Sequence, residues 1–201
     1  MRLPEAASTA PAQAFDISPA EIWFEVGFGG GEHARALAEA NPAVGLIACE
    51  VFENGICSML SALVPDDGTE AIPPLPANLR LWDEDARQLL AKLPDAVLSR
   101  LYLMFPDPWP KARHTKRRFM HPANIDIAAR VIRPGGIWRI ATDDPTYQAW
   151  TADVLAAQEA FEVPPPALVR PEGWPPTRYE AKALKAGRQP MYWSLTRKAL
   201  G

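Results

Sequence analysis

With 201 residues, 48% of them apolar and 22% charged, the chain is long enough to bury a full hydrophobic core and has the balance of an ordinary globular domain. It has no apolar run of the ~18 residues needed to cross a bilayer. Nor does it open with a basic segment followed by an apolar stretch, so neither a spanning helix nor a secretory signal is expected, and a soluble, cytoplasmic protein is. The formal net charge of -3 hides a gradient: residues 1–95 carry 15 acidic and 5 basic side chains, residues 96–201 carry 9 acidic and 16 basic. Such asymmetry suits either a polyanionic partner at one face or a solvated basic surface.

Residues 1–17, rich in Ala and Pro with little apolar periodicity, are expected to form a flexible tail, leaving an ordered domain over 18–201. EIWFEVGF (21–28) is an apolar run closed by glycines and predicts a buried strand; HARALAEA (33–40) has helical spacing ended by Asn41-Pro42. The alternation continues with a strand at 44–51, a helix at 53–63, a strand at 78–83 and a helix at 85–93. Next come a strand at 97–105, a helix at about 119–132 that stops at Arg133-Pro134-Gly135-Gly136, a strand at 136–142 and a helix at 145–159. Strands alternating with helices predict an α/β fold whose parallel sheet is covered on both faces. Two Pro-rich stretches, 65–77 and 163–176, read as surface loops, since Pro cannot donate to a sheet ladder. Cys49 and Cys57 have no C-x-x-C pairing and no histidine at ligand spacing, and they read as buried structural thiols rather than a disulfide or a metal site. His33 and His121 read as helix-surface residues.

Ligands of open α/β sheets bind beyond the carboxyl ends of the strands. Five acidic side chains fall there, at the ends of successive strands: Glu25, Glu50, Asp85, Asp107 and Asp143. Gly27-Phe28-Gly29-Gly30-Gly31 follows Glu25, and its glycines let the backbone pass close to a ligand. Glu32 stands where the dinucleotide fingerprint has its third glycine, so a pyrophosphate would lie between two carboxylates. A cationic ligand is favoured instead. S-adenosylmethionine, with a sulfonium and an ammonium group, suits a glycine loop flanked by acids, with Glu50 placed to accept the ribose hydroxyls and Asp85 the adenine amino group.

The stretch FPDPWPKARHTKRR (105–118) places three prolines and a flat apolar tryptophan at the carboxyl end of the fourth strand. Lys111, Arg113, Lys116, Arg117 and Arg118 follow at once and are expected to neutralise nucleic-acid phosphates. The alternative is a loop that only turns the chain, with Arg117 and Arg118 decorating the next helix. His114 reads as a polar contact within the loop.

EVGFGGGEH, PDPWPKARHTKRR, ATDDPTY and PPTRYEAKAL, in that order, resemble the bacterial tRNA (guanine-N7)-methyltransferase family over about residues 21–198. The resemblance implies a single-domain, Rossmann-like class I methyltransferase with a mostly parallel seven-stranded sheet and helices on both faces. It also implies methyl transfer from S-adenosylmethionine to N7 of a guanine in the tRNA variable loop, with no metal and no obligatory protein partner. Glu25, Gly27, Gly29, Gly31, Glu50, Asp85 and Asp107 would contact the cofactor. Lys111, Asp143, Thr177, Arg178, Tyr179 and Glu180 would contact tRNA, joined by Arg113, His114, Arg117 and Arg118 of the basic loop. Asp143, with Asp107 second, is the expected carboxylate for the Watson–Crick edge of the guanine. Two stretches depart from the family pattern: the segment before the first strand is not basic, and AKALKAGRQPMYW (181–193) stands where relatives carry a Gly-rich run. The same residues also fit two other classes. One is an amino-group methyltransferase, because D-P-W is similar to the D-P-P-Y loop of DNA adenine methyltransferases; the other is a non-catalytic RNA-binding module on this fold.

Overall fold

A computed structural model describes residues 1–64 and 74–199, except for the side chains of Glu5 and Ala6. Most of the first Pro-rich stretch, 65–73, lies outside the described residues. The expected alternation is present. Strands β1 (Glu21–Val26), β2 (Val44–Cys49), β3 (Leu79–Trp82), β4 (Leu98–Met104) and β5 (Ile132–Thr142) alternate with helices α1 (Glu32–Ala40), α2 (Glu53–Leu63), α3 (Ala86–Lys92), α4 (Pro122–Val131) and α5 (Pro145–Ala156). Three further elements follow that the alternation does not predict: β6 (Phe161–Glu162), α6 (Arg178–Lys185) and β7 (Met191–Arg197). The strands form one seven-stranded sheet in the order β3-β2-β1-β4-β5-β7-β6. Pairing is parallel for β1 with β2, β2 with β3 and β4 with β5, and antiparallel for β7 with β5 and β6. This is the mostly parallel, Rossmann-like α/β sheet expected. Among the described residues no helix is long and apolar enough to cross a membrane.

The chain packs as two compact units, Met1–Pro94 and Asp95–Gly201. In the first, β1 to β3 are buried almost without interruption, as strands covered on both faces must be. Residues 1–17 are not the flexible tail that their composition predicts. β3 is an edge strand with backbone groups to satisfy; Leu3 N–H donates to Leu81 O at 2.8 Å and Leu81 N–H to Met1 O at 2.9 Å. Leu3 and Phe15 are buried, and Phe15 lies over Gly45, where a Cβ would come within 2.6 Å of its ring. Arg80 pairs with Asp16 at 2.9 Å and sits 5.5 Å from the Phe15 ring centre. These contacts span 30 to 80 residues of sequence and leave no local period to read. Cys49 is buried in β2 as expected, but Cys57 is exposed, because α2 turns Gly55 and Met59 inward.

In the second unit, β5 begins earlier than its glycines predict. α4 ends at Val131 as expected, but Leu98 pairs with Ile132 and Arg100 with Ile137, so the Arg133–Gly136 stretch bulges out of the ladder instead of separating helix from strand. The core centres on Trp138, fully buried, with the rings of Phe119 and Phe161 edge-on at 6.3 and 5.7 Å. The 163–176 stretch is largely loop, held by a bridge from Ala167 to Tyr192. His121 is not on a helix surface: it precedes Pro122 as the cap of α4, and its Nδ1 accepts from Ala123 N–H.

Candidate functional site

The glycine turn after β1 alternates left-handed residues, with φ of 72° at Gly27, 56° at Gly29 and 86° at Gly31, a path that side chains disfavour. It also requires bare backbone: a Cβ on Gly31 would strike Met59, and one on Gly55 of α2 would lie 2.5 Å from Gly29 O. At Gly27 a Cβ would meet nothing within 4 Å, so this part of the turn faces open space. Glu25 is 1% exposed, near the end of β1, and its Oε1 lies 3.0 Å from Nδ1 of His33. His33, expected on the surface, is 3% exposed, because the first turn of α1 folds back over β1. Glu25 Oε2 is buried without a hydrogen-bond partner among the described residues. A buried carboxylate oxygen is costly unless something donates to it.

Glu50, 6% exposed, does more than the sequence predicts. Its Oε2 accepts from Gly29 N–H at 2.8 Å, and its Oε1 from Val51 and Phe52 N–H at 2.8 and 3.0 Å. The carboxylate therefore fixes the glycine turn from the neighbouring strand. Three of its roughly four acceptor positions are filled, which leaves capacity for a ligand hydroxyl. Val51 and Phe52, which sequence reasoning passed over, are large, apolar and exposed directly beside it. Two consecutive apolar residues after a strand-ending acid were the available signal. Asp85 caps α3 by accepting from Arg87 N–H at 2.9 Å, and its Oδ2 binds the Arg87 guanidinium at 2.6 Å. The Arg87 hydrogen bonds hold the Asp85 carboxyl below its usual range. Burial first, and then the charges of Asp85, Glu25 and Glu50, push the Cys49 thiol up, so three carboxylates converge on the end of β2. Such a concentration of negative charge beside bare backbone fits a small cationic ligand, as S-adenosylmethionine is.

In the second unit, the loop after β4 is strained at two non-glycine residues, Phe105 (φ 51°) and Trp109 (φ 42°). Arg118 holds it in place. Its guanidinium donates to Pro108 O at 2.9 Å and Trp109 O at 3.1 Å, and stacks 5.0 Å from the Trp150 ring centre. At 3% exposure Arg118 is not offered to phosphates, contrary to the reading of the basic run as uniform. Lys111, Arg113, Lys116 and Arg117 are exposed, the last three within or flanking a 3-10 turn over Ala112–Arg117 rather than in a long helix. Arg117 covers the Trp109 face at 4.7 Å and His114 meets its edge at 5.7 Å. His114 Nε2 accepts from Arg113 Nε at 3.3 Å, which confirms it as a contact within the loop. Asp107 is exposed.

Phe105 N–H donates to Ala141 O at 2.7 Å, so Asp107 and Asp143 each lie two residues beyond a hydrogen-bonded pair of strand ends. Asp144 caps α5 through Tyr147 N–H at 2.9 Å, which leaves Asp143, 17% exposed in its side chain, as the carboxylate of the turn not used as a cap. Its Oδ2 binds Arg188 Nε, a partner from the stretch that departs from the family pattern. Thr177 and Glu180 prove internal: Thr177 Oγ1 caps α6 through Glu180 N–H at 3.0 Å, and buried Glu180 accepts from Tyr192 OH at 2.6 Å. Burial, reinforced by Glu180, pushes the Tyr192 hydroxyl pKa up. Arg178 and Tyr179 are exposed, stacked 5.0 Å apart.

A family model described as "Putative methyltransferase" matches residues 19–192. A tRNA (guanine-N(7)-)-methyltransferase of Granulibacter bethesdensis is 60% identical over 98% of this chain and 86% of its own length. One of the same name from Paramagnetospirillum magneticum is 47% identical over 94% of this chain and 77% of its own. Among solved structures, the 16S rRNA methyltransferase KamB superposes with a TM-score of 0.64 over 90% of this chain and 89% of its own; at 18% identity the likeness shows the fold alone. The carboxylate-lined glycine turn, the tryptophan-bearing basic loop and these relatives converge on one conclusion: the chain belongs to the tRNA (guanine-N7)-methyltransferase family.

Proposed function

We propose that the protein transfers a methyl group from S-adenosylmethionine to N7 of a guanine in the variable loop of tRNA, in the cytoplasm where tRNA is modified. The observation that carries the reading is the 60% identity, over nearly the whole chain, to a relative of that name. The residues present fit the chemistry. Glu25 Oε2, buried and without a partner, is suited to an ammonium donor, the open side of Gly27 to close backbone approach, and the remaining capacity of Glu50 to a ribose hydroxyl. Val51 and Phe52 offer a flat apolar surface to a purine. When bound, S-adenosylmethionine supplies an electrophilic methyl on a sulfonium, which needs no activation by a metal or an acid.

Guanine N7 carries a lone pair and no proton, so no general base is required and positioning supplies most of the rate; near-attack geometry is worth on the order of 7 kcal/mol or more. Asp143 accepts from N1–H and the 2-amino group, and this contact strengthens as the purine gains positive charge. The Trp109 loop, clamped by Arg118, gives the base an apolar wall, and the exposed Lys111, Arg113, Lys116 and Arg117 neutralise the phosphates around it. Swinging the guanine out of the folded RNA costs a few kcal/mol, offset by these contacts. Incubation with labelled S-adenosylmethionine and bulk tRNA, followed by nucleoside analysis, tests the reading. N7-methylguanosine is expected; label in an adenosine or cytidine methylated on its amino group would replace the reading with that of an amino-group methyltransferase.

A further inference from the structure

Helix α6 carries Arg178, Lys182 and Lys185 at spacings of four and three residues, all exposed, and so presents one basic stripe along its length. The stripe runs on to Arg188, which follows the left-handed Gly187 (φ 68°) and is 49% exposed in its side chain. Arg188 does not point into solvent but turns its guanidinium onto Asp143 Oδ2. The two turns involved are also joined independently of that pair: Gln148 Nε2 donates to Thr142 O at 3.1 Å and to Gln189 O at 2.7 Å. Arg188 can therefore leave Asp143 without the turns coming apart.

A guanidinium seated on Asp143 cancels the negative charge that a purine acquiring positive charge requires beside it. The pair is half open to water on its Arg188 side, 49% exposed against 17% for Asp143, so the guanidinium stays within reach of a competing anion. A row of exposed cations is, by contrast, where an RNA backbone settles. We propose that Arg188 exchanges partners: it neutralises Asp143 in the RNA-free protein and moves to a phosphate when tRNA lies along α6, which releases the Asp143 carboxylate to the guanine edge. Binding of the polyanion and readiness for the base are thereby coupled through one side chain. The exchange rests on the assignment of Asp143 to the guanine.

The full-length protein with Arg188→Ala, Arg188→Gln or Arg188→Lys is compared with wild type in two assays: tRNA binding across a salt series, and single-turnover methyl transfer at saturating tRNA and S-adenosylmethionine. Exchange predicts that the Ala and Gln variants lose about one counterion from the salt slope, bind tRNA several-fold more weakly at low salt, and transfer methyl within fivefold of the wild-type rate once saturated. The Lys variant keeps the slope. A wild-type slope in the uncharged variants places Arg188 off the phosphates and overturns the exchange. So does a saturated rate more than fivefold lower, which makes Arg188 a fixed support of Asp143. Two uncharged variants guard against one that fails to fold. Absence of N7-methylguanosine from the wild-type reaction defeats the underlying reading, whereas normal wild-type methylation with unchanged slopes defeats the exchange alone.

Discussion

The two packing units hold their charge in opposite ways. Met1–Pro94 carries 14 acidic and 5 basic side chains, and its strand-end acids Glu25 and Glu50 are buried and bonded to a neighbouring side chain or to backbone amides. Asp95–Gly201 carries 10 acidic and 16 basic side chains, and Lys111, Arg113, Lys116 and Arg117 of its basic loop stand in solvent. A small cation is recognised by a few desolvated carboxylates, each worth much because burial raises the cost of leaving it unpaired. A polyanion is recognised by many exposed cations, each worth little and all sensitive to salt. Arg118 and Asp143 break the pattern in the second unit: one is a buried cation, the other an acid among cations. Both exceptions are held by named partners, Arg118 by the carbonyls of Pro108 and Trp109 and Asp143 by Arg188.

Asp143→Asn should break the comparison hardest. The isosteric amide keeps size but loses the charge that favours the methylated purine, and kcat should fall by a factor on the order of a hundred or more. Affinity for tRNA, set by phosphates, should change little. Single-turnover methylation at saturating substrates reads the step directly, and a near wild-type rate would remove Asp143 from the guanine.

Next in size is Glu25→Gln. It should weaken S-adenosylmethionine binding by about 1.5 to 3 kcal/mol, the usual worth of a hydrogen bond to a charged group, and leave the tRNA salt slope alone. Calorimetric titration checks it; unchanged affinity would restrict Glu25 to its contact with His33.

Arg118 and its neighbours sharpen the contrast between buried and exposed cations. Arg118→Ala should lower stability by about 2 to 3 kcal/mol, since two charge-assisted bonds to loop carbonyls are lost, while the salt slope of tRNA binding stays at the wild-type value. Combined Lys116→Ala and Arg117→Ala should do the reverse, removing about one to two counterions from the slope with stability changed by roughly 0.5 kcal/mol or less. Denaturant unfolding and salt titration of the same proteins separate the two; equal slopes in both variants would return the basic run to a uniform role.

The smallest effect concerns Asp85, whose carboxyl the Arg87 hydrogen bonds hold below its usual range. A depressed folded pKa contributes stability above the unfolded pKa, about 3.9, and that contribution is lost as pH falls through the folded value. Asp85→Asn should therefore cost about 1 kcal/mol or less at neutral pH, with the difference from wild type closing below pH ~4. A difference that stays constant down to acid would assign the loss to packing.

Much of the fold was legible because its signals are local. Each of the first four βα repeats carries its own apolar run and its own glycine or proline stop, so the alternation and the acids at the strand ends are legible without a structure. The two-residue β6 is too short to show a period, and α6, half of whose residues are charged, contains no apolar run to mark it. Within the site, the glycine turn and the basic loop could be located, but the partners of their charged residues could not. From sequence alone His33 reads as a surface residue, because nothing near it along the chain says that α1 brings it onto Glu25 of β1. The run Lys116-Arg117-Arg118 looks uniform as text, yet a 3-10 turn sends its third member inward to the carbonyls of Pro108 and Trp109.

The α/β class, the position of the carboxylates at the strand ends, the separation of acidic and basic halves and the motif that places the chain in its family are written in the residues. These depend on residue type and on spacings of a few residues. Packing settles which charges find partners inside the protein and which stay open to solvent. It turned the N-terminal segment into an added edge pairing on β3 and set Glu50 on three backbone amides. It also committed Thr177 and Glu180 to α6 and Tyr192, and brought Arg188 onto Asp143 across 45 residues of chain. A charged side chain acts through its nearest partners in space, and those partners are fixed by the packing of elements far apart in sequence.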